Sequence, residues 1–353
     1  MRFRVRLRPP VGRPVTRDVV DGRWAEPAGA PDRALGERMW ALPGLVDAHA
    51  HLASDELFAP SDFDGASTRA KEALGAGVTL IIDKGWSDRT VIDVIDRVAP
   101  DERPEIEAAA EIIAAPGGYF PSFGIRTEPE QLGFAVESQA RAGRGWVKLI
   151  GDWPIKGRGP VTNFDEEALR MAVETAEAAG ARVAIHTMAR EVPSLAVAAG
   201  VHSIEHGLFL DEDDLDRLGA RDGIWVPTLL RMEATIAQIG PESSGGKLLR
   251  EGLERVPELL GNAFDAGVRV LAGTDLVGAP RDVAAEALRL ADYGLSNAQA
   301  LAAVSTNGFL ATDRDPVFEV GTPADAVLFA ANPLDGLGVL ADPSHVLRKG
   351  RLV

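Results

Sequence analysis

From Gly44 onward, short apolar runs alternate with alanine-rich, charged segments whose hydrophobic positions follow a helical period. The apolar runs predict strands, and there are eight of them: "GLVDAHAH", "GVTLIIDKG", "PEIEAAAEIIAA", "GWVKLIG", "ARVAIHT", "VHSIEHG", "GIWVPTLL" and "GVRVLAGTD". The segments between them predict helices. In "NFDEEALRMAVETAEAAG", for example, Asp165 can cap the first turn and Gly180 ends the last.

Strands that alternate with helices in this way are typical of an α/β fold. Eight such pairs within roughly 260 residues match the size of a (β/α)8 TIM barrel. A doubly wound sheet is the alternative, but it usually carries a glycine-rich phosphate loop after its first strand, and here that strand ends in histidines. Both chain ends contain short strand-like pieces broken by proline and glycine. We therefore predict a barrel of residues 43–313 and one small β-sandwich domain formed by residues 1–42 and 314–353.

Composition restricts the classes of partner. The formal net charge is −16, which argues against nucleic acid and against anionic membranes, so a small-molecule substrate is the expected partner. The chain has no cysteine, and any metal must be held by histidine, carboxylate or a lysine-derived ligand. No run approaches the roughly 18 apolar residues of a membrane span, and a cytoplasmic location is expected. A homo-oligomer stays open, because barrel faces commonly pair.

Four histidines and one aspartate fall at the C-terminal ends of predicted strands. In "LPGLVDAHAHL", His49 and His51 are two residues apart and share one face of a strand. His186 closes "ARVAIH", His206 closes "VHSIEH" and Asp275 closes "VRVLAGTD". An isolated HxH motif matches by accident often enough. Five such residues at the barrel end where active sites form predict a divalent-metal site.

These motifs resemble those of the amidohydrolase superfamily of metal-dependent hydrolases. "PGLVDAHAH" is similar to its strand-one motif, "IEHG" and "GTD" to those of strands six and eight, and "VGTPADAVLF" to its C-terminal β-domain return. The segment "SIEHGLFLDEDDLDRLGARDGIWVPTL" is similar to the sequences of the branch that holds imidazolonepropionase-like enzymes and Xaa-Pro or Xaa-Arg dipeptidases. The resemblance runs from about residue 42 to the end, and residues 1–42 match the family only loosely.

The resemblance implies a binuclear metal centre in which each ion has its own histidine pair. The implied ligands are His49, His51 and Asp275 on one ion, His186 and His206 on the other, and Lys148 between them. In the dipeptidase-like branch the lysine is carboxylated by CO2, and the carbamate bridges both metals. The alternative is a lysine that pairs with Asp152. Zinc is the expected metal, and manganese and cobalt stay open.

The leading functional hypothesis is hydrolysis of a C–N bond in an amide, peptide or cyclic amide. Paired metals lower the pKa of a bound water and produce hydroxide at neutral pH, with Asp275 as general acid and base. The alternatives are a mononuclear deaminase or imidazolonepropionase-type enzyme, a lactonase or phosphoesterase, and a catalytically silent binding barrel. The intact ligand set counts against the last of these.

Several further residues are predicted to lie at the barrel mouth. In "APGGYFP", Tyr119 replaces the histidine of the "TGGH" turn of dipeptidase-like relatives, which puts dipeptide specificity in doubt. Tyr119 either donates a hydrogen bond to a developing oxyanion or simply packs over the mouth. Lys84 or Arg231 can hold a substrate carboxylate, unless each is only a solvated loop charge. Trp86 and Trp153 are candidate pocket walls.

Overall fold

Twenty strands account for the sheets of the computed structural model, which describes residues 3–55, 58–121, 123–155 and 159–353. The strands are β1 (Phe3–Leu7), β2 (Val15–Val20), β3 (Arg23–Ala25), β4 (Arg33–Leu35), β5 (Trp40–Leu42), β6 (Leu45–Ala50), β7 (Val78–Asp83), β8 (Glu105–Ala108), β9 (Ile113–Ala114), β10 (Ile125–Arg126), β11 (Trp146–Ile150), β12 (Asp152–Ile155), β13 (Gly159–Thr162), β14 (Arg182–Thr187), β15 (Ser203–His206), β16 (Ile224–Val226), β17 (Arg269–Val270), β18 (Ala326–Phe329), β19 (His345–Arg348) and β20 (Arg351–Leu352).

Helices follow most of the central strands. They are α1 (Phe63–Gly75), α2 (Thr90–Arg97), α3 (Leu132–Ala142), α4 (Glu166–Ala178), α5 (Val192–Ala198), α6 (Glu212–Gly219), α7 (Leu229–Ile239), α8 (Ser244–Asp265), α9 (Ala284–Asp292), α10 (Asn297–Ala303) and α11 (Thr306–Ala311). The cap predicted for α4 is confirmed, because the Asp165 side chain accepts the N–H of Ala168. No helix in the described ranges is both long enough and apolar enough to cross a bilayer.

The central strands are parallel, and the predicted α/β class is confirmed. β6, β7 and β8 form one sheet, and β11, β14, β15, β16 and β17 follow one another in a second sheet, which β9 and β10 extend. An isolated parallel bridge between Ala108 and Gly145 connects the two sheets at one side. At the other side the N–H of Ala48 donates to the carbonyl of Ala272 at 2.9 Å. The eighth predicted strand is regular over only Arg269–Val270.

The chain ends form two antiparallel-rich sheets, β3-β2-β1-β4 and β20-β19-β18-β5. A separate apolar cluster lies between them and draws on both ends of the chain. Its buried members are Val5, Leu7, Val19, Trp24, Leu35, Ala41, Phe318, Ala324, Ala326, Leu328 and Leu347. The main core packs the helices against the parallel strands, which are buried along nearly their whole length. Because helices cover these strands, the strands read as continuous apolar runs rather than alternating ones.

Candidate metal centre

The end of β6 and the segment after β17 bring three potential metal ligands together. His49, His51 and Asp275 each offer a ligand atom, and these atoms all lie within 4.8 Å of one another. Asp275 Oδ1 is 3.6 Å from Nε2 of His49 and 3.5 Å from Nε2 of His51. Both histidines are buried. The convergence of these three side chains, which the sequence only implied, is therefore present in the fold.

The other two predicted histidines lie beside this group. Nε2 of His206, at the end of β15, is 3.0 Å from Nδ1 of His186 on the neighbouring β14. The same Nε2 is 4.0 Å from Oδ2 of Asp275. Asp275 thus stands between the two histidine pairs, one oxygen towards each. The imidazole rings of His49 and His206 are 5.5 Å apart, centre to centre.

Lys148 lies in the middle of β11, with a relative exposure of 2%. Its Nζ has no hydrogen-bond partner among the described residues. The alternative in which Lys148 pairs with Asp152 is wrong, because Nζ has no partner in the described structure, and Oδ2 of Asp152 accepts the backbone N–H groups of Met188 and Ala189. Burial, assisted by Lys84, lowers the pKa of Lys148 to about 8, although Glu205 and Asp275 oppose the shift.

The donor set fits a divalent transition metal. Nζ of Lys148 and Nε2 of His186 are buried without a hydrogen-bond partner in the described part of the chain, and such orphan atoms need an explanation. Burial first, and nearby Lys148 second among the lowering effects, reduces the pKa of His49 to about 4 and that of His186 to about 3. Both imidazoles are therefore neutral near pH 7. Neutral imidazole nitrogens and a carboxylate are the ligands that zinc and related metals accept.

The Asp275 carboxylate is held in its ionised form. Burial would raise its pKa, but His49, His51, His206 and Arg231 together bring the pKa well below its ordinary value. Arg231 donates from Nε to the Asp275 carbonyl at 2.6 Å. Its Nη2 is buried and has no hydrogen-bond partner among the described residues. Arg231 therefore lies next to the site, and its Nη2 group is left without a partner in the described part of the chain.

Two of the histidines have a fixed tautomer. Nδ1 of His51 lies 2.7 Å from the carbonyl oxygen of Gly85, which can only accept. Nδ1 of His206 lies 2.6 Å from Oγ1 of Thr228, and that hydroxyl donates to the carbonyl of Pro227. Each Nδ1 therefore carries the proton. Nε2 of His51 then presents a lone pair on the side of Asp275, and the lone pair of Nε2 of His206 faces Nδ1 of His186 at 3.0 Å.

The backbone is left-handed at several positions that form the site. φ is +65° at His206, +48° at Thr228 and +41° at Asp275. Non-glycine residues rarely take such values, least of all β-branched threonine, and positions of this kind cluster at functional sites. β15 ends at His206, and the left-handed φ there interrupts the alternation of the strand. His206 and its neighbour Glu205 can therefore both contact residues of the site.

Glu205 is a buried site residue that the sequence analysis missed. Its Oε2 lies 2.6 Å from Nδ1 of His49, and its Oε1 lies 3.0 Å from Nζ of Lys84. Burial would raise the pKa of Glu205, but Lys84, His49 and Lys148 bring it well below the ordinary value. The available signal was a charged residue inside the apolar run "VHSIEH". Simple strand alternation places Glu205 on the face opposite His206, which is why this signal is weak.

Lys84 differs from its expected place at the rim. It is 1% exposed, its Nζ pairs with Glu205, and it lies 4.8 Å from the ring centre of Trp146. The ammonium is therefore not free to hold a substrate. The reason is positional: Lys84 directly follows β7, whose residues are all buried.

An aromatic cluster covers the side of the mouth near β9 and β12. The partly buried rings of Tyr119 and Trp153 pack edge to face with centres 4.7 Å apart, and Trp153 lies 6.1 Å from the His186 ring. Trp86 is 1% exposed and packs 5.2 Å from the His51 ring. Burial, followed by the charge of Asp275, raises the pKa of Tyr119 above its ordinary value, so the phenol keeps its proton.

A cavity of about 340 Å³ opens next to His51. Thr274 and Leu276 line it from the strand-eight side, and Arg69 and Arg281 line it from α1 and from the turn before α9. The cavity is large enough for a small molecule. Because the cavity lies beside His51, a small molecule bound in it would lie next to the proposed metal ligands.

Comparison with known proteins defines the class. Residues 40–353 match the sequence profile of the Amidohydrolase family, and the chain belongs to this family of hydrolases. The resemblance inferred from the strand-end motifs is thereby confirmed.

Individual proteins and solved structures are also similar to this chain. An uncharacterized protein of Mycobacterium tuberculosis is 32% identical over 342 residues, covering 94% of this chain and 90% of that protein. Ochratoxinase of Aspergillus niger is 24% identical over 366 residues, covering 88% of this chain and 75% of the enzyme. Among solved structures, a Xaa-Pro dipeptidase with bound methionine in its active site is 21% identical, with a TM-score of 0.83 and full coverage of both chains. The structure of A. niger ochratoxinase has a TM-score of 0.82 at 20% identity, covering 99% of this chain and 95% of that one. These two likenesses show a shared fold.

Proposed function

We propose that the protein is a metal-dependent amidohydrolase that cleaves a C–N bond in an amide, peptide or cyclic amide. The observation that carries the proposal is the convergence of His49, His51 and Asp275, with ligand atoms within 4.8 Å of one another, inside a member of the Amidohydrolase family. The name of one structural relative is consistent with this reaction, because a dipeptidase acts on a peptide bond.

The proposed centre is binuclear. His49 and His51 with Asp275 hold one ion, His186 and His206 hold the second, and a carbamate on Lys148 joins them. Two observations support it: Asp275 directs one oxygen towards each histidine pair, and Lys148 Nζ is buried without a hydrogen-bond partner among the described residues. A lowered pKa increases the share of neutral amine, which is the form that reacts with CO2. Zinc is the proposed metal, since imidazole nitrogen and carboxylate oxygen suit it.

Divalent ions at such a centre supply Lewis acidity and a water of lowered pKa. The chain's own residues then move the proton. The ionised Asp275 accepts it from the attacking water and delivers it to the leaving nitrogen as the C–N bond breaks. Tyr119 keeps its phenolic proton and is proposed to donate a hydrogen bond to the carbonyl oxygen as negative charge develops there.

The substrate is proposed to be an amide that carries a carboxylate and an apolar group. Arg231 supports the carboxylate, because its buried Nη2 has no hydrogen-bond partner among the described residues and lies in the guanidinium that contacts Asp275. Tyr119 and Trp153 supply an apolar wall near His186. Trp86 backs His51 from the other side.

We also propose that the eight parallel strands close into a (β/α)8 barrel. The hydrogen bond from Ala48 to Ala272 and the bridge between Ala108 and Gly145 support closure at the two gaps between the sheets. The small β domain is proposed to comprise residues 1–42 and 314–353. The apolar cluster that both chain ends share supports that boundary.

The test combines metal analysis with a substrate panel. Protein purified without chelators is expected to hold close to two divalent ions per chain and to hydrolyse members of a panel of dipeptides, N-acyl amino acids, lactams and lactones. Asp275→Asn is the matched variant, since it keeps the size of the side chain and removes the proton acceptor. Fewer than one ion per chain in metal-replete protein, or full activity in Asp275→Asn, would contradict the proposal.

A further inference from the structure

A buried ion pair lies beside the proposed metal centre. Glu205 and Lys84 have side-chain exposures of 0% and 1%, and Oε1 and Nζ are 3.0 Å apart. Oε1 also accepts a hydrogen bond from Ser203 at 2.5 Å. The removal of two charges from water generally costs more than their attraction returns, so a buried pair is weak evidence for a contribution to stability. The pair therefore calls for another role.

The second oxygen of Glu205 indicates that role. Oε2 lies 2.6 Å from Nδ1 of His49, within reach of a hydrogen bond, and neither atom has a well-formed hydrogen bond to any described group. The other ring nitrogen of His49, Nε2, is 3.6 Å from Oδ1 of Asp275. The two nitrogens of this imidazole thus face two different carboxylates, and the position of the single proton decides what the ring can do.

The neighbouring histidines show how the site resolves this choice. The Nδ1–H of His51 donates a hydrogen bond to the carbonyl of Gly85, and the Nδ1–H of His206 donates one to the hydroxyl of Thr228. Both partners can only accept in these contacts. Among the described groups, Glu205 is the one placed to do the same for His49. Lys84 and Ser203 both lie against the other oxygen of Glu205 as donors, and a carboxylate in an ion pair can only accept.

We propose that Glu205, in its ion pair with Lys84, is a positioning residue that accepts a hydrogen bond from the Nδ1–H of His49 and so leaves the Nε2 lone pair facing Asp275. The pair acts through His49 and touches no substrate. The use of that lone pair rests on the proposed function, because a divalent metal binds only an unprotonated nitrogen. The tautomer itself is a property of the protein without metal.

The decisive measurement is nitrogen-15 NMR of histidine-labelled, chelator-treated protein. The chain has six histidines, so His49→Gln identifies the signals of His49 by their loss. The expected result is His49 as the Nδ1–H tautomer. A proton on Nε2 in the wild-type protein overturns the proposal. This reading stands even if the protein hydrolyses nothing, and so it separates this proposal from the proposed function.

A double variant tests the cause. Lys84→Met with Glu205→Leu removes both charges together and keeps similar volumes, which avoids leaving one buried charge unpaired. We expect the Nε2–H tautomer of His49 to appear, and the affinity for added Zn²⁺ to fall about 10- to 100-fold. Unchanged tautomer and unchanged Zn²⁺ affinity in the folded double variant overturn the proposal.

The matched control acts on a different histidine. Thr228→Val keeps the β-branched shape and removes the hydroxyl that contacts Nδ1 of His206. It is expected to leave the tautomer of His49 unchanged. A shift of His49 in this control means that the ring responds to any disturbance of the site, which overturns a specific role for Glu205. If the double variant does not fold, the wild-type tautomer decides.

Discussion

The backbone N–H of Asp275 donates a hydrogen bond of 2.8 Å to the carbonyl oxygen of His49. The bond joins the end of the first parallel strand to the segment after the last one. Asp47, two residues earlier in the same strand, accepts hydrogen bonds from the N–H and the hydroxyl of Thr274 at 3.1 and 2.6 Å. Together these contacts fix the spacing between the carboxylate of Asp275 and the imidazole of His49, and therefore the width of the proposed metal centre.

Gly273 tests how tightly that spacing is held. An added Cβ would lie 2.5 Å from the Cβ of His49 and 2.9 Å from its backbone nitrogen. Gly273→Ala must therefore push the two strands apart, and we expect a loss of about 1–3 kcal/mol in the free energy of unfolding. Metal content is expected to fall as well. Urea denaturation and elemental analysis measure the two effects.

Gly261 provides the control for that substitution. It lies within α8, and no atom stands within 4 Å of an added Cβ. Gly261→Ala is expected to raise the free energy of unfolding by about 0.5–1 kcal/mol, because alanine loses less entropy in a helix. Equal stability and equal metal content in Gly273→Ala and wild-type protein would contradict the prediction, because they would show that His49 can shift to accommodate the added methyl group without cost.

Lys148→Met separates the binuclear centre from a mononuclear one. The variant cannot form a carbamate, so metal content is expected to fall from about two ions per chain to one or fewer, and hydrolysis by at least about 100-fold. In chelator-treated protein, the stability is expected to be unchanged or higher, because the buried Nζ has no hydrogen bond to lose in the described structure. Lys247→Met, which removes an exposed lysine, is the control. Two ions retained in Lys148→Met would refute the bridging role.

Arg231→Lys addresses the substrate carboxylate. We expect KM for a carboxylate-bearing amide to rise about 10- to 100-fold, since a charge-assisted hydrogen bond is lost. The neutral primary-amide analogue of the same substrate is expected to show no such rise. Arg281→Met is the control, because Arg281 lines the cavity but is paired with Glu72. Equal effects on both substrates would assign Arg231 to the support of Asp275 alone.

Glu286 predicts a pH dependence of stability. It is 1% exposed, it accepts the N–H groups of Leu229 and Leu230 at the start of α7, and burial raises its pKa to about 8 from an ordinary 4.5. The folded chain binds this proton more tightly than the unfolded chain. The contribution is therefore complete below about pH 4.5, falls as the pH rises, and is lost through about pH 8.

The slope of that contribution approaches about 1.4 kcal/mol per pH unit between the two pKa values. Urea denaturation of wild-type protein and Glu286→Gln at pH 5, 6.5 and 8 measures it. The variant is expected to show a shallower fall. Glu254→Gln, at an exposed position of α8, is expected to follow the wild-type curve. Parallel curves for Glu286→Gln and wild-type protein would contradict the prediction.

The failures of the sequence analysis have one physical cause. Lys84 was expected at the rim because it follows the second predicted strand, and Glu205, inside the sixth, was not considered as a site residue. Each charge is buried only because the other is 3.0 Å away. Such a pair joins two strands that are distant in the chain. Neither local propensity nor spacing records which distant charge a residue will meet.

The sequence by itself determined the alternation of parallel strands and helices, the family, and the five strand-end residues His49, His51, His186, His206 and Asp275. These follow from short-range rules, since hydrophobic period and strand polarity set which end of a parallel strand a residue occupies. Tertiary structure alone decided that Lys148 has no hydrogen-bond partner among the described residues, that Glu205 lies against His49, and which nitrogen of each ring faces Asp275. Those properties depend on distances between strands, and only the packed fold sets those distances.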